Sequence, residues 1–303
     1  MSWINIESCE MPQSVGKTWF NFWVVGILWG VPYLLIRVAV APGQFTPAFI
    51  VCSRVMIGAA ILIPYAIKRG TLKPALKHIK WIVPYAIIEL VGPWGFLSQA
   101  EKKINSGLAA LLIATVAIWA TLLNGALGDR TVWHSKRLIG LGVGFIGVCL
   151  VVGLESLQGK QNVTAILLLL LAAIGYAIAP TLVRKKIPQI DGAAINGLAM
   201  LITGVIYLPF AIIQWPHHHV RTNSILSIIA LGIFPTAICF VYFFKVLADF
   251  GVARASLVAY VNTGVAVILG VVVLHEKLTI GILVGLPLVM IGSYYASRKP
   301  VIQ

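Results

Sequence analysis

A single carboxylate, Glu89, stands in the middle of an otherwise uncharged apolar run, within the stretch YAIIELVGPWGF. If that run crosses a bilayer, an ionised carboxylate at its centre costs about 2.5–3.5 kcal/mol or more. Glu89 must therefore face a wet cavity, take a partner or hold a proton. Exchange of that proton would make Glu89 a coupling site, the alternative being a structural hydrogen bond to a neighbouring helix. One turn further on lies Gly92-Pro93-Trp94-Gly95. Proline removes a backbone donor, and the flanking glycines tolerate unusual torsions. A broken helix at this depth is tolerable only where protein or water meets the freed carbonyls. Trp94 is then expected on a cavity wall, an ordinary proline kink being the alternative.

Other side chains could supply a binding surface. Trp29, Tyr33, Trp119, Tyr176, Tyr242 and Tyr260 lie inside apolar runs, whereas membrane aromatics favour the interface. Such residues offer stacking faces and a few hydrogen bonds to an organic solute, or simply pack helices together. Asn262 is mid-run and expected to line the same cavity, while Asn105, Asn124, Thr115 and Gln99 suit bonds that join helices. Arg37 marks an interface or holds a substrate carboxylate, and Arg54 is expected to pair with a helix end. Lys245 and Asp249, four apart, suit an i, i+4 pair. The run His217-His218-His219 reads as a solvated loop, since three adjacent histidines do not converge on a metal. The string Asn162-Val163-Thr164 matches a glycosylation acceptor but abuts an apolar run. No catalytic cluster, metal site or cofactor is expected. The expected partners are a small-molecule substrate and membrane lipid, not nucleic acid, and the oligomeric state is left open, a monomer included.

The elements that position these residues follow from composition. Of 303 residues, 59% are hydrophobic and 11% charged, with a mean hydropathy of +0.95, against about 25% charged in a soluble domain. An ordinary soluble enzyme is excluded. Apolar runs fall near 19–40, 47–67, 80–100, 105–127, 137–154, 163–183, 192–214, 224–247, 253–274 and 279–297. They are continuous rather than alternating, so they read as helices and not barrel strands. The expected fold is an all-α integral membrane protein of ten transmembrane helices. The N-terminus contains two glutamates and no uninterrupted apolar stretch, unlike a cleavable signal peptide. Four scattered cysteines show no metal or disulfide spacing.

The net charge of +14 lies between the apolar runs rather than along a stripe. With the N-terminus inside, 16 Lys and Arg fall on the cytoplasmic side and 5 on the other. Both termini are then cytoplasmic.

Two segments, INSGLAALLIATVAIWATLLNGALGDR (104–130) and GVARASLVAYVNTGVAVILGVVVLHEK (251–277), align without gaps. Both end in an acid and a base, Asp129-Arg130 and Glu276-Lys277. The following runs share a glycine spacing, Gly140 to Gly147 and Gly285 to Gly292, which permits close helix contact. The organisation read here is a tail (1–18), a first five-helix repeat (19–154), a linker (155–162), a second repeat (163–297) and a tail (298–303). An odd number of spans per repeat inverts the second copy, an architecture that recurs in secondary transporters with a midplane site.

With LWGVPYLLIR (28–37), TPAFIVCSRVMIGA (46–59) and the two aligned segments, the chain resembles the EamA branch of the drug/metabolite transporter superfamily over nearly all residues after 18. The resemblance implies a ten-helix carrier in a bacterial inner membrane, with a central cavity, moving small organic metabolites such as amino acids, often outward. No ATP-binding domain is implied, and no Gly-rich phosphate loop is visible. Ala117 and Thr263 stand where the family usually carries prolines, and Asp129 stands where it usually carries Glu. A passive facilitator or channel is the alternative reading. A membrane-embedded enzyme is a weaker one, since it would need clustered acids and histidines.

Overall fold

A computed structural model describes residues 15–157, 162–187, 190–217, 219–255, 258–277 and 279–297. Most of the first tail, residues 158–161 of the linker, the last tail, Cys9 and His218 lie outside the described residues. Among the described residues every regular element is helical.

The expected runs all appear as helices. They are α1 (Val15–Ala39), α2 (Pro47–Lys68), α3 (Leu72–Leu76), α4 (Ile79–Ala86), α5 (Gly92–Ala100), α6 (Ser106–Ala114) and α7 (Val116–Ala126) in the first part. They continue as α8 (Ser135–Leu157), α9 (Val163–Lys186), α10 (Gly192–Ile213), α11 (Thr222–Leu231), α12 (Cys239–Ala255), α13 (Val258–Leu274) and α14 (Ile280–Ser297). A π-helical stretch, Ile87–Val91, joins α4 to α5, and a second, Gly232–Ile238, joins α11 to α12. Seven of the continuous or jointed segments are long and apolar enough to cross a membrane, and three further apolar helices are shorter.

Helix starts follow local chemistry. Thr46 caps α2, Asn105 caps α6, Asn162 caps α9 and Asp191 caps α10, each accepting a backbone N–H from the first turn. Such caps satisfy donors that have no intrahelical partner. Asn105 and Asn162 are thereby explained as structural caps. The helix breaks at Thr115, between α6 and α7, although the family's usual proline is missing. At the matching Asn262 α13 runs through, and the hydroxyl of the adjacent Thr263 donates back to Ala259 O at 2.8 Å.

The principal packing pairs have a regular pattern. α2 lies along α10 and α8 along α14. α1 packs on α13 and on α11–α12, while α9 packs on α6–α7 and on α5. With each jointed segment counted once, the first packs on the eighth and ninth, and the sixth packs on the third and fourth. Exchanging the two halves leaves these pairs unchanged. Close approach is made possible by glycine: a Cβ on Gly292 would run into Gly144 N and Cα, with Gly140 O only 2.7 Å away. The outer surface is strongly apolar, with Phe145 64% and Phe210 53% exposed. Continuous apolar surface of this kind suits lipid rather than water.

Candidate functional site

The two π stretches shape the interior. A π turn inserts a residue and loosens the backbone ladder. Here side chains take up the freed groups: the Tyr207 hydroxyl donates to Val91 O at 2.7 Å, and Thr236 Oγ1 donates to Leu231 O at 2.7 Å. Expectation put the break at Gly92-Pro93; it falls one turn earlier, and Pro93 sits in the first turn of α5, where its missing N–H is harmless. Carrying the register of the 104–130 and 251–277 match back along the chain places Ile87–Val91 on 234–238, inside the second π stretch. The same register pairs Glu89 with Thr236. Gly175 of α9 fits under the first π stretch, where a Cβ would lie 2.6 Å from Ile88 O.

Thr236 also accepts the Arg54 Nε–H at 2.7 Å, so its single proton is committed and one of its lone pairs is taken. The Arg54 guanidinium lies 3.7 Å over the Trp94 ring, a cation–π stack. Trp94 and Tyr176 share a hydrogen bond, and Tyr176 lies within electrostatic reach of Glu89, Tyr33 and Arg54. Arg54 is only 6% exposed. It does not pair with a helix end as expected, because Trp94 and Thr236 hold it across the middle of the bundle. Glu89 sits on the first π stretch with Oε2 buried and without a partner. Beside it Tyr85 donates to Asn196 Oδ1 at 3.0 Å.

Of the residues singled out in the sequence, Tyr33, Trp94 and Tyr176 are thus gathered around Arg54, and Glu89 lies on the far side of Tyr176, within its electrostatic reach. Trp29 packs edge-on against Phe240, at 5.7 Å, and tilted against Phe243, at 4.6 Å. Tyr242 lies under Lys245, 5.3 Å away. Lys245 therefore does not form the expected pair with Asp249, which accepts instead from Thr18 Oγ1 at 3.0 Å. Trp119 of α7 has its Nε1 buried without a partner. Asn262 and Tyr260 lie on α13, where Asn262 accepts from Thr263 Oγ1 at 3.2 Å and its carbonyl faces Gly30 of α1. Arg54 was expected to take a different partner, and Thr236 and Tyr207 were not singled out in the sequence. Pro235, inside the second π stretch, was the available signal, a proline within an apolar run as Pro93 is in the first half.

One end of the bundle is closed by a clasp. Arg37, at the end of α1, donates to Glu101 O and lies 3.9 Å from Glu276 Oε1. Glu276 reaches from beyond α13 to the start of α6, accepting from Ser106 N at 3.0 Å and from Ser106 Oγ at 2.6 Å. A carboxylate there also complements the positive end of the α6 dipole. Arg37 is thus more than an interface marker. Glu101 is fully buried with both carboxylate oxygens unpartnered, and burial pushes its carboxyl well above the ordinary carboxylate range against the pull of Arg37. Glu276→Ala should cost about 1–3 kcal/mol of stability, the range for a lost charged hydrogen-bonding partner. Loss of the Asp129–Arg137 contact in Asp129→Ala should contribute less than about 1 kcal/mol, since that contact is 3.6 Å long and partly exposed. Thermal unfolding of the two variants in detergent measures the difference.

A cleft of about 420 Å³ beside Phe45, Phe49, Trp215 and Ile228 has almost wholly apolar walls, without the convergent polar groups that orient a solute. No group of acids, histidines and cysteines among the described residues is arranged to hold a metal. Cys52 and Cys239 are buried and Cys149 is exposed, all as free thiols.

Long apolar helices and a lipid-suited exterior define a multi-pass membrane protein. The chain belongs to the EamA-like transporter family, whose model matches it twice, over residues 18–153 and 163–298. It is 24% identical over 275 residues to the uncharacterized transporter YoaV of Bacillus subtilis, covering 89% of this chain and 93% of that protein. It is likewise 24% identical over 286 residues to the uncharacterized inner membrane transporter YedA of Escherichia coli, covering 91% of each. An uncharacterized transporter of Archaeoglobus fulgidus is 25% identical over 289 residues, 93% of this chain and 99% of its own length. A crystal structure of a protein 19% identical in sequence superposes with a TM-score of 0.64, covering 93% of this chain and 97% of the other. That likeness concerns the fold alone. The family and these relatives are transporters, not enzymes, and this chain is a membrane transporter.

Proposed function

We propose that the protein is a secondary carrier exporting a small organic metabolite, such as an amino acid, across a bacterial inner membrane. Ten spans form two five-helix halves, 19–154 and 163–297, inserted in opposite senses and joined by residues 155–162. The observation that carries this reading is the exchange symmetry of the packing, together with a π break at matching places in the two halves. Both breaks flank one polar cluster, and in alternating access two related halves rock around such a fixed site. The excess of Lys and Arg supports cytoplasmic termini and places the Arg37–Glu276 clasp on the outer side. An inner membrane agrees with the printed description of the Escherichia coli relative. The proposed binding residues are Trp29, Tyr33, Glu89, Trp94, Trp119, Tyr176, Tyr242, Tyr260 and Asn262, with Glu89 as the proton-coupling group. Lipid and the solute are the only partners proposed.

Counterflow in proteoliposomes tests the proposal with radiolabelled amino acids, nucleosides and small sugars, with and without a pH gradient. Saturable exchange of one solute class is expected. Flux that never saturates and shows no counterflow would instead identify a pore.

A further inference from the structure

Arg54 is a buried cation whose partners stop short of its charge. Trp94 covers one face of the guanidinium, and Thr236 takes the Nε proton. Among the described residues, Nη1 and Nη2 have no hydrogen-bonding or ion-pairing partner. They keep a small accessible surface, whereas the orphaned oxygens of Glu101 are sealed. Glu101 is the carboxylate within electrostatic reach, and it makes no contact with Arg54. A buried charge is normally paired and hydrogen-bonded, because stripping it of water is expensive. An unpaired one at membrane depth marks a functional site.

The supports also fix the orientation. The Thr236 hydroxyl is locked by Leu231 O at 2.7 Å, a carbonyl beside the second π stretch. The indole belongs to α5, just beyond the first π stretch. Arg54 is therefore aimed by both halves at once, with its terminal edge left open. That edge presents two parallel N–H groups in one plane, the geometry that matches a carboxylate in a bidentate pair.

We infer that Arg54 is the anion subsite of the carrier, binding the carboxylate of the transported solute through Nη1 and Nη2 while Trp94 and Thr236 hold the guanidinium in register. The inference rests on the carrier reading above and narrows its substrate to small organic carboxylates, zwitterions included. Trp94 then acts as a positioning residue. The solute's carboxylate completes a charge pair that the empty site lacks, so its binding is favoured over that of an isosteric neutral amide.

The test is counterflow in proteoliposomes with matched pairs: several L-amino acids and their carboxamides, and N-acetyl-L-leucine against N-acetyl-L-leucinamide. Wild type, Arg54→Lys and Arg54→Gln are compared. The quantity read is the acid-to-amide ratio of kcat/KM within one preparation, which partial loss of folded protein does not move. Wild type should prefer at least one acid over its amide by about tenfold or more, the scale of a charged hydrogen-bond pair. Arg54→Gln should bring that ratio to about one, and Arg54→Lys, a point charge without the fork, should leave it in between. Equal use of acid and amide by wild type, or an undiminished ratio in Arg54→Gln, overturns the assignment and leaves the carrier reading standing. Exchange restricted to uncharged or cationic solutes does the same. Absence of exchange by every member of both panels overturns both.

Discussion

Glu89→Gln is expected to abolish accumulation driven by a pH gradient, with a fall of about tenfold or more in the gradient-dependent rate, while exchange without a gradient persists. Glutamine keeps the shape and polarity of the side chain and removes only its titratable proton. The side chain stands on the loosened backbone of Ile87–Val91 with one oxygen buried and unbonded, beside Tyr85 and Tyr176. A carboxylate confined there costs about 2.5–3.5 kcal/mol or more if it stays charged and unpaired, so access of water or solute decides whether it carries a proton. Flux is measured in proteoliposomes at a series of internal and external pH values. Retention of full flux with full pH dependence would remove Glu89 from the coupling step.

The second large effect is structural. Gly292→Leu should prevent recovery of monodisperse protein in detergent. At this crossing of α8 and α14 the obstacle to a Cβ is backbone, Gly144 N and Cα and Gly140 O, so no rotamer change can relieve it. Separating the helices would sacrifice a long packed seam, and in lipid such packing is what holds helices together. Gly142→Leu on α8 is the control, because no atom lies within 4 Å of a Cβ there. Size-exclusion profiles and thermal unfolding of the two variants should differ sharply. Equal behaviour would mean that the seam contributes little.

Much of this was legible in the amino-acid sequence because bilayer thickness constrains helices strongly. Each apolar run became a helix or a jointed helix, and the glycines spaced along 140–147 and 285–292 contribute to the α8–α14 seam. Glu89, Trp94, Tyr33 and Tyr176 stood out as polar or aromatic groups in places where such groups are costly. Arg54 was harder to read. Its role depends on a hydroxyl 182 residues away and on an indole from a third helix, contacts that no local pattern encodes. The same holds for Asp249, whose partner Thr18 lies 231 residues away and displaces the local pairing with Lys245. Thr236 was hidden for another reason. An unremarkable threonine acquires its geometry only because the backbone around Pro235 is wound as a π-helix.

Glu276 and Asp129 occupy matching places in the aligned segments 104–130 and 251–277, yet they behave differently. Glu276 bonds across to α6 of the first half, whereas Asp129 pairs with Arg137 of its own half. In a carrier with identical copies, the two end states would be equally populated. One cross-half clasp removes that degeneracy: a difference of about 2 kcal/mol corresponds to about thirtyfold in population. The apparent affinity of a solute is weakened by the fraction of protein poised to receive it. Unequal affinities on the two faces of the membrane then follow from a carboxylate at the end of the bundle, with no change in the residues that touch the solute.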